Sequence, residues 1–259
     1  MAALENLYAR AAFFTRIGKE GGAFILEKGG IRMSFARRVR QAADPIWQAS
    51  FRHPFVKELG EGTLDRAKFR YYVMQDAYYL RHFARVQAIG AAKSPDLATT
   101  ARLAHHAQST CEAELSLHET FAGLLGITEE ERAAFMPAPT AYAYTSHMYR
   151  AAYEGHLGDV IAAILPCYWL YYEIGERLKT CQPNDPIYEK WISTYSSDWF
   201  RSLVEEQIDR LDAIAAAVTE EDRRRMEQHF LISSDYEYQF WEMAYRLERW
   251  PSAELMKSR

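Results

Sequence analysis

The sequence predicts an all-α protein, and two observations carry that prediction. From Ser34 onward, apolar residues recur every three or four positions, which is the spacing of one helix face, and no segment alternates as a half-buried β-strand does. Glycine and proline stand singly between these periodic segments and do not cluster into a linker. We therefore predict one helical domain over residues 33–259.

The predicted elements follow in order from periodicity and stop signals. Residues 1–32 hold no sustained period, so we interpret them as a loosely ordered extension, or as an artefact of cloning or of the assigned gene start, with Met33 as an alternative start. Helices are expected at about 34–51, 65–93, 96–126, 129–135, 140–154, 157–180, 186–194, 198–218, 220–230 and 234–249, with a loop at 53–62. The stops are Ser94-Pro95, Gly126, Pro137, Pro139, Gly155, Pro183 and Pro251, since glycine ends helices and proline cannot continue them.

Composition excludes several classes of partner. The net charge is −4 with mixed signs, and no basic stripe is present to follow a phosphate backbone, which argues against nucleic acid. No apolar run approaches the roughly 18–20 residues that span a bilayer, so no membrane segment is expected. Three widely spaced cysteines without a CxxC pair argue against a disulfide framework and a structural zinc site, and they fit a reducing cytoplasm. Aromatic residues make up 14% of the chain, which suits a pocket for a flat ring as well as a core.

The segment 164–173 (ILPCYWLYYE) places a thiol among aromatic residues directly after a proline. Pro166 has no N–H for the Ala162 carbonyl, so we expect a kink and a gap beside Cys167. Tyr171 lies one turn later on the same face and can line the same gap. Cys167 is a candidate nucleophile, although a lone cysteine on an apolar helix is also a common packing residue.

Two carboxylates stand where an apolar residue is expected. Asp76 falls on the stripe that contains Tyr72, Tyr79 and Phe83, so we predict that it is buried and needs a cation, several donors or a ligand as its partner. A structural ion pair or a tyrosine hydrogen bond is the competing explanation. A ligand with adjacent amino and ring-nitrogen groups would suit its two oxygens.

Glu237 repeats this arrangement on the last predicted helix. It shares a face with Phe240, which we include among the predicted substrate-contacting side chains. A buried acid has a raised pKa, so a thiol and two such acids supply the parts for nucleophilic attack with acid/base assistance.

The histidines give little support for a metal or cofactor. A di-iron bundle uses Glu-x-x-His on two helices, and none of the eight histidines has a glutamate three residues before it. His105, His106 and His118 are conceivable haem ligands, but adjacent histidines point to different helix faces. We predict no metal and no cofactor.

Six segments in this order resemble one known family over nearly the whole chain from Met33 to Met256. They are 53–56 (HPFV), 71–80 (YYVMQDAYYL), 142–148 (YAYTSHM), 165–172 (LPCYWLYY), 195–200 (YSSDWF) and 236–241 (YEYQFW). Together they resemble the TenA family, also called thiaminase II or aminopyrimidine aminohydrolase. Residues 1–32 have no counterpart in it.

The resemblance implies a haem-oxygenase-like helical fold without haem, assembled as a homotetramer, and it assigns roles to single residues. Cys167 matches the nucleophile, Glu237 the proton donor, and Tyr79 a residue that sharpens the thiol's nucleophilicity. Asp76 matches the group that holds the aminopyrimidine, Tyr144 the ring-stacking position, and Tyr171 and Tyr195 substrate-contacting phenols. The cysteine places this chain outside the branch of the family that lacks it.

The implied reaction converts 4-amino-5-aminomethyl-2-methylpyrimidine to 4-amino-5-hydroxymethyl-2-methylpyrimidine and ammonia through an adduct on Cys167, with thiamine as a slower substrate. Two alternatives stay open at this point. A non-catalytic aminopyrimidine-binding or regulatory protein would keep the aromatic pocket without needing a buried thiol and two acids. A haem protein would show a Soret absorption band.

Overall fold

The computed structural model describes residues 33–252, apart from the side chains of residues 113–119 and 122. The predicted extension at 1–32 and the chain from 253 onward lie outside the described residues. Within 33–252 the chain forms helices and no strand, which confirms the all-α prediction. The helices are α1 (Phe35–Ala42), α2 (Asp44–Phe51), α3 (Pro54–Glu61), α4 (Arg66–Ala92), α5 (Leu97–Leu125), α6 (Glu129–Ala133), α7 (Pro139–Glu154), α8 (Leu157–Leu178), α9 (Pro186–Tyr195), α10 (Asp198–Ala217) and α11 (Glu220–Arg246).

Helix α8 is the centre of the bundle. Every residue from Leu157 to Pro166 is buried, as in a helix enclosed on all sides, and α4, α7, α9, α10 and α11 pack around it. The helix continues through Pro166 without interruption. It therefore carries Cys167 on an element that the rest of the fold holds in place.

An ion pair between a buried aspartate and a partly exposed arginine fixes α8 against α11. Asp159 is fully buried and accepts two hydrogen bonds from the Arg225 guanidinium, at 2.9 and 3.0 Å. The same carboxylate also caps the start of α8, where it accepts from the backbone N–H of His156 at 2.8 Å. Bidentate pairing of this kind fixes direction as well as distance. The two helices that carry Cys167 and Glu237 are thus held in one register.

The prediction of one helix over 34–51 is wrong, because the chain breaks at Ala43. Pro45 lies in the first turn of α2 and cannot donate a backbone hydrogen bond to the preceding turn. The helical run therefore restarts at Asp44.

The predicted loop at 53–62 is also wrong, since α3 occupies most of it. Pro54 is the first helical residue, where its missing N–H costs nothing, and the His53 side chain accepts the hydrogen bond of the Phe55 N–H. Gly62 ends the helix in the left-handed conformation with φ of 73°. The residues interpreted as loop formers are the signals of a short capped helix.

The two helices predicted at 220–230 and 234–249 form one helix of 27 residues, α11. Ser233 donates to the Ala163 carbonyl at 2.8 Å, and Ser234 accepts from the Trp47 indole at 3.0 Å. Both serines are fully buried. Their hydroxyls thus serve contacts with neighbouring helices and do not compete with the backbone of α11.

None of the helices in residues 33–252 combines the length and the apolar character needed to cross a membrane.

Candidate active site

Five helices bring all of the predicted site residues into one region of the bundle. Helix spacing puts them on shared faces, because side chains three or four residues apart lie side by side. The residues are Asp76 and Tyr79 on α4, Tyr144 on α7, Cys167 and Tyr171 on α8, Tyr195 at the end of α9, and Glu237 and Phe240 on α11.

Glu237 and Tyr144 form the buried polar pair of this region. The Tyr144 hydroxyl donates to Glu237 Oε1 at 2.7 Å, and the two residues are only 1% and 2% exposed. Burial raises the pKa of the Glu237 carboxyl to about 8, the negative charge of Asp76 acts in the same direction, and the hydrogen bond from Tyr144 opposes both. Near neutral pH most Glu237 side chains therefore carry a proton that they can donate.

The environment of Tyr144 gives it a contact that the sequence did not predict. Its ring stacks on Tyr236 with centroids 5.2 Å apart and planes 13° from parallel, and it lies 4.9 Å from the ring of Tyr79. The stacking of Tyr144 on a substrate stays a prediction. In the structure, Tyr144 holds the carboxyl of Glu237.

Cys167 is half-buried and lies within electrostatic reach of both acids. Burial raises the pKa of the thiol well above its usual value, and the charges of Glu237 and Asp76 raise it further. The Tyr79 hydroxyl acts in the opposite direction, because it stabilises the thiolate. That hydroxyl is buried and has no hydrogen-bond partner within ordinary limits among the described residues. The site thus holds a neutral thiol beside a donor that is available to a developing thiolate.

Asp76 lies on the wall of a cavity that contains about 500 Å³ of empty space, including its opening to solvent. The prediction that Asp76 is buried is wrong, since it is only half-buried. Its neighbours on the stripe explain the difference: Val73 and Leu80 line the same cavity, so this part of the apolar face borders open space. The volume suits a small ring compound.

The cavity wall is largely aromatic and apolar. It includes Tyr72, Trp191 and Tyr195, together with Phe69, Val73, Ala77, Leu80, Phe121 and Thr194. Cys167 and Glu237 are not among the lining residues. The thiol lies within electrostatic reach of two lining phenols, Tyr72 and Tyr195, and the Glu237 carboxyl lies within electrostatic reach of the lining residue Asp76.

The remaining predicted residues connect the cavity to the buried pair through ring contacts. The rings of Tyr171 and Tyr195 lie 4.9 Å apart at 60°. The centroid of the Phe240 ring lies 5.9 Å from that of Tyr79 and 6.0 Å from that of Tyr72. Edge-to-face pairs at these distances order the rings relative to one another.

Sequence reasoning missed the contributions of Tyr72 and Trp191. Both line the cavity, and both are buried. Helix spacing was the available signal, because Tyr72 lies one turn before Asp76 and Trp191 one turn before Tyr195.

Among the side chains that the structure describes, no group of three or more His, Cys, Asp or Glu residues is arranged to hold a metal ion.

Comparison with known proteins identifies the family. The family model described as TENA/THI-4/PQQC matches residues 40–247. A Bacillus subtilis protein named aminopyrimidine aminohydrolase is 59% identical over 218 residues, which cover 84% of this chain and 92% of that protein. A TenA homologue from P. horikoshii OT3 superposes with a TM-score of 0.76 at 30% identity, covering 83% of this chain and 99% of the other.

A more distant structure agrees on the fold alone. A Shewanella denitrificans domain described as having a heme oxygenase-like fold aligns with a TM-score of 0.62 at 18% identity, over 86% of this chain and 93% of that domain. The predicted fold class is therefore confirmed. Because the family model matches most of its length, the chain belongs to the TENA/THI-4/PQQC family.

Proposed function

We propose that this protein is an aminopyrimidine aminohydrolase of thiamine salvage, which hydrolyses 4-amino-5-aminomethyl-2-methylpyrimidine to the 5-hydroxymethyl compound and ammonia. The chain is a hydrolase of its family, as the name of its 59% identical relative indicates. The observation that carries the specific proposal is the juxtaposition of a neutral thiol, Cys167, with a buried carboxylic acid, Glu237, beside a ring-sized aromatic cavity.

In the first step the sulfur of Cys167 forms a bond to C6 of the pyrimidine. The thiol loses its proton and a ring nitrogen gains one. The electron pair that the ring receives from the sulfur is therefore balanced by a proton, and the adduct carries no net charge. Tyr79 stabilises the sulfur while it carries negative charge. Asp76 on the cavity wall accepts from the exocyclic amino group.

In the second step the bond between the C5 methylene and its amino nitrogen breaks. The electron pair leaves with the nitrogen, which takes the proton of Glu237 and departs as ammonia. The oxygen of a water molecule bonds to the exposed methylene, and one water proton returns to the Glu237 carboxylate. The C6–S bond then breaks, the ring nitrogen loses its added proton, and the thiol and the aromatic ring are restored.

Thiamine would react by the same route, with its thiazole as the leaving group. The three free cysteines fit a reducing compartment, and we expect the enzyme to act in the cytoplasm as a homotetramer.

The direct test is Cys167→Ser, assayed with the aminomethyl pyrimidine. A serine hydroxyl is far less ionised than a thiol, so we expect turnover to fall on the order of 1,000-fold or more while the melting temperature stays unchanged. The matched controls are Cys111→Ser and Cys181→Ser, since both of these cysteines are exposed and neither lines the cavity.

Three outcomes contradict the proposal in different ways. A Cys167→Ser variant that retains most of the wild-type activity would exclude a covalent adduct on Cys167 from the mechanism. Wild-type protein that binds the pyrimidine without releasing ammonia would favour the non-catalytic binding protein. A Soret band in the purified protein would favour a haem protein.

A further inference from the structure

The ring of Tyr236, which directly precedes Glu237 in the chain, packs against two aromatic side chains of α7. It is nearly parallel to the Tyr144 ring, with centroids 5.2 Å apart and planes 13° from parallel. It also lies 5.8 Å from the imidazole of His147, at 39°. Tyr144 and His147 are one turn apart on α7, so this one side chain of α11 contacts two successive turns of the same helix face.

These contacts restrict the position of the Tyr144 ring. Tyr144 is 1% exposed, the ring of Tyr79 lies 4.9 Å from it, and its hydroxyl donates to Glu237 Oε1 at 2.7 Å. In a close-packed interior, a ring with such neighbours has little room to move. The packing of Tyr236 on Tyr144 therefore directs the Tyr144 hydroxyl toward the carboxyl of Glu237.

We propose that Tyr236 is a positioning residue whose ring holds the Tyr144 hydroxyl on the Glu237 carboxyl, and so fixes the proton donor in place. This inference rests on the proposed function, which assigns proton donation to Glu237. Tyr236 is not among the residues that line the cavity, so it acts through Tyr144 and not on the substrate. Both of its contacts are made by the ring, so phenylalanine should replace tyrosine here, whereas leucine should not.

The titration of Glu237 reports whether its hydrogen bond with Tyr144 is intact. That hydrogen bond lowers the pKa of Glu237, whereas burial and the charge of Asp76 raise it. The titratable groups that face Glu237 from the neighbouring helices are Asp76 and Tyr79 on α4, Tyr144 on α7, and Cys167 and Tyr171 on α8. A substitution at position 236 leaves all of these groups present.

The test follows the melting temperature of the ligand-free protein from about pH 6 to about pH 10. In the wild type it should fall until Glu237 loses its proton in the folded state, and then level off. In Tyr236→Leu the fall should continue about half a pH unit further or more, because a displaced Tyr144 no longer stabilises the carboxylate. Tyr236→Phe should restore the wild-type curve.

Two results would overturn the inference. A fall that ends at lower pH in Tyr236→Leu would show that Tyr236 only keeps water away from Glu237. A fall that ends at the wild-type pH would show that Tyr144 keeps its place without the ring. In the Tyr144→Phe background, Tyr236→Leu should cause no further shift, because both substitutions remove the same hydrogen bond.

Tyr238→Leu is the matched control. It removes another half-buried tyrosine of α11, but the Tyr238 ring packs against His53 at 5.7 Å and its hydroxyl donates to Glu242 at 3.4 Å. Its melting temperature should be lower across the whole pH range, while the pH at which the fall ends should stay at the wild-type value.

Kinetics separates this inference from the proposed function. In Tyr236→Leu we expect kcat to fall about tenfold and KM to change less than about threefold, because the proton donor is displaced while the cavity wall is intact. Wild-type protein that releases no ammonia would contradict the proposed function, and the melting curves would still decide whether Tyr236 positions Tyr144. An active wild type with an unshifted Tyr236→Leu curve would overturn this inference alone.

Discussion

Glu237 remains protonated at physiological pH because burial makes its charged form unfavourable. Its pKa of about 8 lies above the ordinary value of 4.5, mainly through burial. The folded protein therefore holds this proton more tightly than the unfolded chain does. The stabilisation that this gives is present at low pH and is lost as the pH rises toward 8.

We predict that Glu237→Gln removes this pH dependence. The amide copies the neutral acid, so its melting temperature should fall less than that of the wild type between about pH 6 and about pH 9, while turnover is lost because no proton can be donated. Thermal melts across this pH range check the first part. Tyr144→Phe provides the companion variant. It removes the hydrogen bond that lowers the pKa of Glu237, so the pH-dependent loss of stability should occur at higher pH than in the wild type. If the melting temperatures of the wild type and of Glu237→Gln changed equally with pH, Glu237 would not titrate in this range.

Asp76→Asn tests the acid on the cavity wall. Because Asp76 is half-buried, the free energy of unfolding should change by no more than about 1 kcal/mol. Asparagine turns one acceptor oxygen into a donor that faces the substrate's amino group. We expect a loss of about 1.5–3 kcal/mol in transition-state binding, or about 10- to 150-fold in kcat/KM. A large drop in melting temperature with near-normal activity in the folded fraction would instead make Asp76 a structural ion-pair partner.

At the scale of single residues, the sequence pointed to side chains that the structure brings together, but it did not predict their surroundings. The polar residues on apolar stripes pointed to Asp76 and Glu237, and the aromatic segment around Pro166 pointed to Cys167. Periodicity could not distinguish them, however: Glu237 is buried against Tyr144, whereas Asp76 borders a cavity. Which part of a helix face meets another helix is set by tertiary packing, and a single sequence does not contain that information directly.

At the scale of elements, periodicity predicted the long helices well, and the errors arose from residues with two possible roles. Pro54 and Gly62 are loop formers in general, but here they begin and end α3. Ser233 and Ser234 look like a break within α11, but both are hydrogen-bonded across the core. For the two serines the deciding factor is the partner that each hydroxyl finds, and that partner lies far away in the sequence.

The contact between α8 and α9 supports a prediction at this scale. Gly175 faces the end of α9, where an added Cβ would come within 2.6 Å of the Tyr195 carbonyl carbon and 2.7 Å of the Ser196 nitrogen. These are backbone atoms, so Gly175→Ala has to push α9, and Tyr195 with it, away from the site. We expect a cost of about 1–3 kcal/mol in the free energy of unfolding and a raised KM. Denaturant unfolding and steady-state kinetics measure the two effects.

Gly123→Ala is the control for Gly175→Ala. It also lies within a helix, α5, but its added Cβ would meet no atom within 4 Å beyond its chain neighbours and the local backbone of that helix. Alanine should therefore stabilise the protein by about 0.5–1 kcal/mol and leave KM unchanged. If Gly175→Ala also stabilised the protein and left KM unchanged, the position of α9 would not depend on the close approach between Gly175 and the Tyr195–Ser196 backbone.

At the scale of the whole molecule, one group of exposed apolar side chains suggests where copies of the chain meet. Met136, Tyr142 and Trp250 are 62%, 52% and 36% exposed. The rings of Tyr142 and Trp250 lie 6.2 Å apart, and the Trp250 indole donates to the Pro137 carbonyl at 2.8 Å. These contacts place Trp250 beside Tyr142 and against the backbone of Pro137, which directly follows Met136 in the chain. We call the three exposed side chains the 136–250 patch. A contiguous apolar patch on a surface marks a site of association.

We therefore predict that the 136–250 patch belongs to the interface of the proposed homotetramer. Sedimentation at micromolar concentration should give the mass of four chains of 30.0 kDa each. Tyr142→Glu places a charge in the patch and should shift the equilibrium toward smaller species, because an unpaired charge is costly to bury between subunits. Leu97→Glu, at a position that is 87% exposed and lies at the start of α5, should leave the mass unchanged. Wild-type protein that sediments only as a monomer would contradict the tetramer, and a tetrameric Tyr142→Glu variant would exclude the 136–250 patch from its interface.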